Sequence, residues 1–144
     1  MDFEVSWDPA RLQFDRIHHA LANSYWSPNI RRDLVERAAA HSLCVGAYDR
    51  TTGVQAAYAR VVSDHATYAY LCDVIVFDAY RGHGIGKALI EAALAHPELQ
   101  NLRIFALGTR DAQGLYARYG FTQVDASRRM ERRGPDHIWQ EQSR

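Results

Sequence analysis

The chain has 144 residues, with 17 basic and 17 acidic side chains and a formal net charge of zero. That length suits one domain whose core needs no covalent staples, and the even charge balance gives no reason to invoke nucleic acid or a membrane as partner. Only Cys44 and Cys72 are present, each in an apolar run without CxxC or zinc spacing, so buried, reduced thiols and no metal are expected.

The opening residues carry early acids and no long apolar run, unlike a secretory leader, and no stretch reaches bilayer-spanning length; a cytoplasmic location is the expectation. Residues 3–7 alternate weakly and predict a short strand. Asp8-Pro9 signals a helix start, an N-cap followed by proline at the first helical position. Leu12, Phe14, Ile17, His18 and Leu21 then carry a stripe at helical spacing to about residue 22. Residues 23–29 break the pattern, and a second helix is expected from about 30 to 40. Residues 42–48, 54–62 and 66–77 read as strands, the first two joined by a glycine-containing hairpin turn at 49–53. Ile85, Leu89, Ala92 and Ala93 place a helix at 84–95, which Pro97 ends. Residues 102–107 predict a strand, 111–119 a short helix closed by Gly120, with Asp111 as its N-cap, and 121–124 and 129–131 the last strands. The tail from 132 is polar and expected to be loosely held. The order β-α-α-β-β-β-α-β-α-β predicts a single α/β domain, a mixed sheet with helices on both faces.

Arg81-Gly82-His83-Gly84-Ile85-Gly86-Lys87 follows a predicted strand and opens a predicted helix. Glycines at alternate positions let backbone N–H groups converge on an anion. The helix start adds unpaired donors and a favourable dipole, and Arg81 and Lys87 add charge. Together these make a phosphate cradle. A Walker loop would need glycine at position 81 and Ser or Thr at 88, where the chain has Arg81 and Ala88. A dinucleotide fingerprint starting at Gly82 would need glycine where Lys87 stands, and would sit in a first βα unit.

Two further features carry chemistry. Asp73 is the one charged residue in the apolar run 68–76. A carboxylate in a central strand is costly unless paired or useful. It is expected to accept a proton, to orient a cationic substrate, or to tie down a neighbouring loop. Tyr25 and Trp26, beside Pro28 in the loop between the first two helices, suggest a pocket wall for a cation by cation–π contact, or a loop anchor.

Residues 76–89 resemble the acetyl-CoA motif of the GCN5-related N-acetyltransferases (GNATs), Arg/Gln-x-x-Gly-x-Gly/Ala. Leu115-Tyr116-Ala117-Arg118-Tyr119-Gly120-Phe121 resembles that family's second signature, a helix ending Tyr-x-x-x-Gly-Phe. The resemblance covers nearly the whole chain. It implies a mostly antiparallel sheet and an N-acetyltransferase that moves an acetyl group from acetyl-CoA to a primary amine of a small molecule by direct attack, or else a non-catalytic acyl-CoA sensor of the same fold. It implies that the backbone of Val74, Ile75 and Val76 carries the pantetheine arm. Arg81, Gly82, His83, Gly84, Ile85, Gly86 and Lys87 would hold the pyrophosphate. An amide near Val76 would face the carbonyl oxygen, and Tyr116 would protonate the departing thiolate while Asp73 serves the amine. Tyr25 and Trp26 would shape the acceptor site. Many members carry an asparagine seven residues before the tyrosine; Thr109 stands there and is expected to replace it at the cofactor. Relatives are often dimers, so a homodimer is a further expectation.

Overall fold

The computed structural model describes residues 1–142. Five strands form one sheet in the order β1 (Phe3–Ser6), β2 (Leu43–Asp49), β3 (Gln55–Ser63), β4 (Tyr68–Val76) and β5 (Ile104–Leu107). The first three pairings are antiparallel and β4–β5 is parallel, so the sheet is mixed and mostly antiparallel as expected. The β2–β3 hairpin closes on Gly53 at φ +75, a left-handed position that glycine adopts without a Cβ penalty.

Helices cover both faces. On one, α1 (Phe14–Ala22) and α2 (Arg32–Ala40) turn Ile17, Leu21, Val35 and Ala39 onto Cys44, Tyr58 and Phe77. On the other, α3 (Ile85–Ala95) seats Ile85, Leu89 and Ala93 on Val45, Ala57, Ala59, Val61 and Leu71. The alanines let this helix approach the sheet closely. Each large aliphatic side chain removed from water contributes roughly 1.5–3 kcal/mol. α4 (Gln113–Ala117) is a short helix after β5.

Four expectations are corrected. Asp8 does cap a turn, its carboxylate accepting from the Ala10 N–H at 2.9 Å, but the turn is a 3-10 segment of three residues, Pro9–Arg11. Leu12 is extended, and the Gln13 side chain is pulled onto the β2–β3 hairpin by bonds to Gly53 and Gln55, so α1 starts at Phe14. Residues 121–124 and 129–131 are not strands. Asp125 caps a 3-10 turn (Ala126–Arg128) between them, and Val124 and Met130 stay 80% and 96% exposed, with no apolar face to bury. Asp111 does not cap α4. The Thr109 hydroxyl accepts from the Ala112 N–H instead, at 3.1 Å. The tail is tied down rather than loose. Gln140 bridges Ile30, the Arg31 N–H donates to the Trp139 carbonyl at 3.0 Å, and the Glu141 N–H donates to the Asn29 carbonyl at 2.8 Å. Its last two residues lie outside the described residues.

Candidate active site

The site begins with a mismatch in strand length. β4 pairs with β5 only from Tyr68 to Leu71, against Ile104 to Leu107. β4 then runs on to Val76 while β5 ends at Leu107, so, among the described residues, 72–76 have no strand neighbour on that side. The Phe77 N–H donates to Ala56 at 2.9 Å, on the β3 side. By strand alternation the N–H groups of Val76 and Val74 point the other way, into the gap.

A β-bulge sets up this stretch. Tyr58 pairs with Ile75 while Arg60 pairs with Cys72, so Asp73 and Val74 together face Ala59. Asp73 is the extra residue, with φ +55, a conformation that Asp tolerates better than most residues. The bulge also switches the faces. Before it Ala69 and Leu71 point to the α3 core; after it Val74 and Val76 do, and Ile75 and Phe77 face α1.

The glycine-rich turn follows at once. A 3-10 turn (Asp78–Tyr80) leads to Gly82 at φ +85 and to Gly84 at φ +74, which caps α3. A Cβ built on either glycine would meet nothing within 4 Å, so the backbone angle demands glycine there and the space in front stays open. The first main-chain bond of α3 is from the Ala88 N–H to Gly84. Among the described residues, the N–H groups of 82–87 find no acceptor in the protein, as expected of a helix start built to receive an anion. Arg81 is paired with Asp78 at 2.9 Å, and Lys87 is exposed without a carboxylate partner among the described residues.

A cleft of about 1130 Å³ joins these pieces. Its walls are 74–77 of β4 and its exit, the turn from Asp78 to Lys87 except His83, the side of α1 that carries Asp15, Arg16 and His19, the loop after it with Tyr25 and Trp26, and Arg110, Asp111 and Leu115 beyond β5. That exceeds the volume of most small-ligand pockets and suits a long ligand.

The loop between α1 and α2 crosses the open end of the sheet and is clamped there. The Trp26 indole N–H donates to one Asp73 oxygen at 3.1 Å, and Arg60 Nε donates to the other at 3.0 Å. Arg60 also reaches the Ser42 hydroxyl at 3.1 Å. The Asp73 and Arg60 side chains are only 15% and 20% exposed. Asp73 is therefore ion-paired and ties the loop to the sheet. Next to it, the Tyr25 ring stands edge-on to Trp26, with the Arg110 guanidinium 3.7 Å from its centroid. The cation–π face expected for a substrate is thus occupied by the protein's own arginine.

Tyr116 is half-buried against the α3 core and edge-on to Phe121 at 5.9 Å. Leu115 lines the cleft, whereas Tyr116, the next residue, is not among its lining residues. Burial, with the nearby Tyr25 phenol adding to it, raises the Tyr116 pKa above the usual tyrosine value. Tyr119 donates to Glu91. Thr109 is committed to the start of α4, and His83 is exposed away from the cleft. The cysteines flank Arg60, Cys44 on β2 and Cys72 on β4. Burial pushes the Cys72 thiol up to about 12, against the pull of Arg60, and also raises Cys44, whose sulfur meets the Tyr58 hydroxyl at 3.2 Å.

A family model described as "Acetyltransferase (GNAT) domain" matches residues 40–123, more than half of the chain. The chain belongs to the GNAT acetyltransferase family. A GNAT-family crystal structure from Xanthomonas campestris pv. campestris is 48% identical, with a TM-score of 0.88 over 94% of this chain and 96% of that one. A candidate acetyltransferase of Gibberella zeae is 28% identical over 139 residues, 81% of this chain and 77% of its own length. A GNAT acetyltransferase from Elizabethkingia anophelis, solved with acetyl-CoA bound, shares the fold at TM-score 0.64 and 14% identity, over 85% of this chain and 78% of that one. This GNAT chain is thus an N-acetyltransferase by family. Its site includes two arginines that reading the sequence did not single out. Arg60 left one signal: a lone charge in an apolar strand, next to another strand that also holds a lone charge, Asp73. Arg110 left none, because its partner Tyr25 is 85 residues away.

Proposed function

We propose that the protein transfers an acetyl group from acetyl-CoA to a primary amine of a small molecule by direct attack. The observation behind this reading is the adjacency of two unsatisfied backbone surfaces, the N–H groups of 82–87 and the open edge of β4. The first suits a diphosphate. The second suits an extended amide-bearing arm added as a strand would be. Positive-φ glycines with open space before them fit such a ligand, and a side chain at either would project into that space.

In this reading the Val76 N–H, or that of Val74, faces the thioester oxygen where charge develops. The neutral amine attacks the carbonyl carbon, the C–N bond forms and the C–S bond breaks. The departing thiolate takes a proton from Tyr116, whose burial-raised pKa keeps it protonated at neutral pH. Asp73, held by Trp26 and Arg60, acts as a positioning residue that fixes the acceptor loop, and the amine's proton leaves through water. Thr109 supports α4 and through it Tyr116. No helix among the described residues is long and apolar enough to cross a membrane; a cytoplasmic setting, which keeps both thiols reduced, suits this chemistry. The outer edge of β5, four residues with no strand beyond it among the described residues, is where a second copy would pair.

Thermal shift tests the ligand. Acetyl-CoA at a hundredfold excess over Kd should stabilise the protein by about 2.7 kcal/mol, and a shift with ATP but not acetyl-CoA would overturn the assignment. Thiol release over a panel of amines tests the reaction. Tyr116→Phe should lower kcat at least tenfold, and full activity would remove Tyr116 from the mechanism.

A further inference from the structure

We propose that the acceptor amine also carries an anionic group, a carboxylate or a phosphate, and that Arg16 binds it. The proposal rests on the acetyl-transfer reading above and names the class of its substrate.

The charges around the cleft point one way. Among the described residues each carboxylate of the lining is paired, Asp15 with Arg32, Asp78 with Arg81 at 2.9 Å and Asp111 with Arg110 at 3.4 Å, as is Asp73 nearby, with Arg60 at 3.0 Å. A polycationic acceptor would have to displace an arginine to reach any of them. Two cations of the lining have no carboxylate within 4 Å among the described residues, Lys87 and Arg16. Lys87 belongs to the first turn of α3, beside the unsatisfied N–H groups. Arg16 does not.

Arg16 is on α1, half-buried, and held in place by the fold. Its Nε donates to the Gln55 carbonyl at 2.9 Å. Its guanidinium carbon lies 5.6 Å from the Phe77 ring centroid and 6.0 Å from that of Tyr80. Anchoring through Nε leaves both terminal nitrogens without a protein acceptor among the described residues, and that pair forms the fork that grips a carboxylate or phosphate in two parallel bonds. A partly desolvated guanidinium without a counter-ion is costly. The aromatic faces offset part of that cost. The remainder is recovered when an anion arrives. The cleft-facing neighbour one turn on is His19, which adds no negative charge.

The test is steady-state kinetics with matched acceptors, each amino acid against its decarboxylated amine and phosphoethanolamine against ethanolamine. The wild type should favour the anionic member by at least tenfold in kcat/KM, and the two pairs separate carboxylate from phosphate. Arg16→Gln should erase that preference through the acceptor KM while the acetyl-CoA KM stays unchanged, and Arg16→Lys should restore part of it. Preference for the decarboxylated amines would overturn the proposal. So would an Arg16→Gln variant whose acetyl-CoA KM rises instead, because Arg16 would then serve the cofactor's phosphates. A second arm needs no turnover: inorganic phosphate and acetate titrated by calorimetry onto protein saturated with CoA. Binding should weaken at least tenfold in Arg16→Gln, and equal binding by both proteins would sink the idea. Failure of the wild type to bind acetyl-CoA at all would instead strike the acetyl-transfer reading.

Discussion

Removing the Asp73 carboxylate separates positioning from proton transfer. Asp73 is the bulge residue of β4, at φ +55, bonded to Trp26 on one oxygen and Arg60 on the other. Stripping one partner from a fully buried ion pair costs about 3–5 kcal/mol, whereas an exposed pair is worth less than about 1. With side chains 15% and 20% exposed, this pair lies nearer the buried limit. Asp73→Ala should therefore destabilise by about 2–3 kcal/mol, of which roughly 1 is the strain of a left-handed alanine. Asp73→Asn keeps an oxygen acceptor and tolerates that backbone, so about 1 kcal/mol is expected. Urea unfolding followed by tryptophan fluorescence reads both values. In parallel, both variants should raise the acceptor KM about tenfold as the loop loosens, leaving the acetyl-CoA KM and the shape of the pH–rate profile intact. An Asp73→Asn protein with wild-type stability and wild-type KM, but with kcat a hundredfold lower and its acidic limb gone, would refute this reasoning and make Asp73 the base.

Gly84→Ala should cost about 1 kcal/mol in stability, because alanine strains at φ +74 with open space around it, and should weaken acetyl-CoA binding at least tenfold by calorimetry. Gly46→Ala should destabilise by about 1–3 kcal/mol, since its Cβ would lie 2.6 Å from the hydroxyl of the buried Tyr48. Tyr48→Phe should be neutral or stabilising in the same urea assay, because that hydroxyl is buried without a partner. Burial raises Tyr48 and Cys72 to about 12, and Tyr58 further still. A folded pKa above its unfolded value gives stability that is whole below the unfolded value and lost as pH rises. Urea midpoints should therefore hold to about pH 9 and fall from there toward pH 12, by up to about 1.4 kcal/mol per pH unit for each group. Midpoints flat to pH 11 would contradict the burial of these groups.

Much of the site was legible because its determinants are local. Gly82 and Gly84 stand out in the sequence itself, and a strand before and a helix after define what their N–H groups do. The aliphatic run through β4 marked the central strand for the same reason. Asp73 stood out as a charge in that run, but its role depends on Arg60, 13 residues away, and on Trp26, 47 away, and on a bulge that only register against β3 reveals. Tyr25 was seen as an aromatic wall, yet Arg110 from beyond β5 covers it. The strands expected at 121–124 and 129–131 do not form: β5 is four residues long and Asp125 turns the chain aside. The return of the tail onto the loop at 29–31 rests largely on backbone groups, which every residue carries, with the Arg31 and Gln140 side chains adding bonds to the Ile138 and Pro28 carbonyls.

Amide chemical shifts followed by NMR during a titration with acetyl-CoA address the central claim directly. The N–H signals of Gly82 through Lys87 should move and gain protection from hydrogen exchange, with those of Val74 and Val76, while β1 and β2 stay unchanged. Saturation with acetyl-CoA that leaves the 82–87 amides where they were, and shifts another region instead, would contradict it.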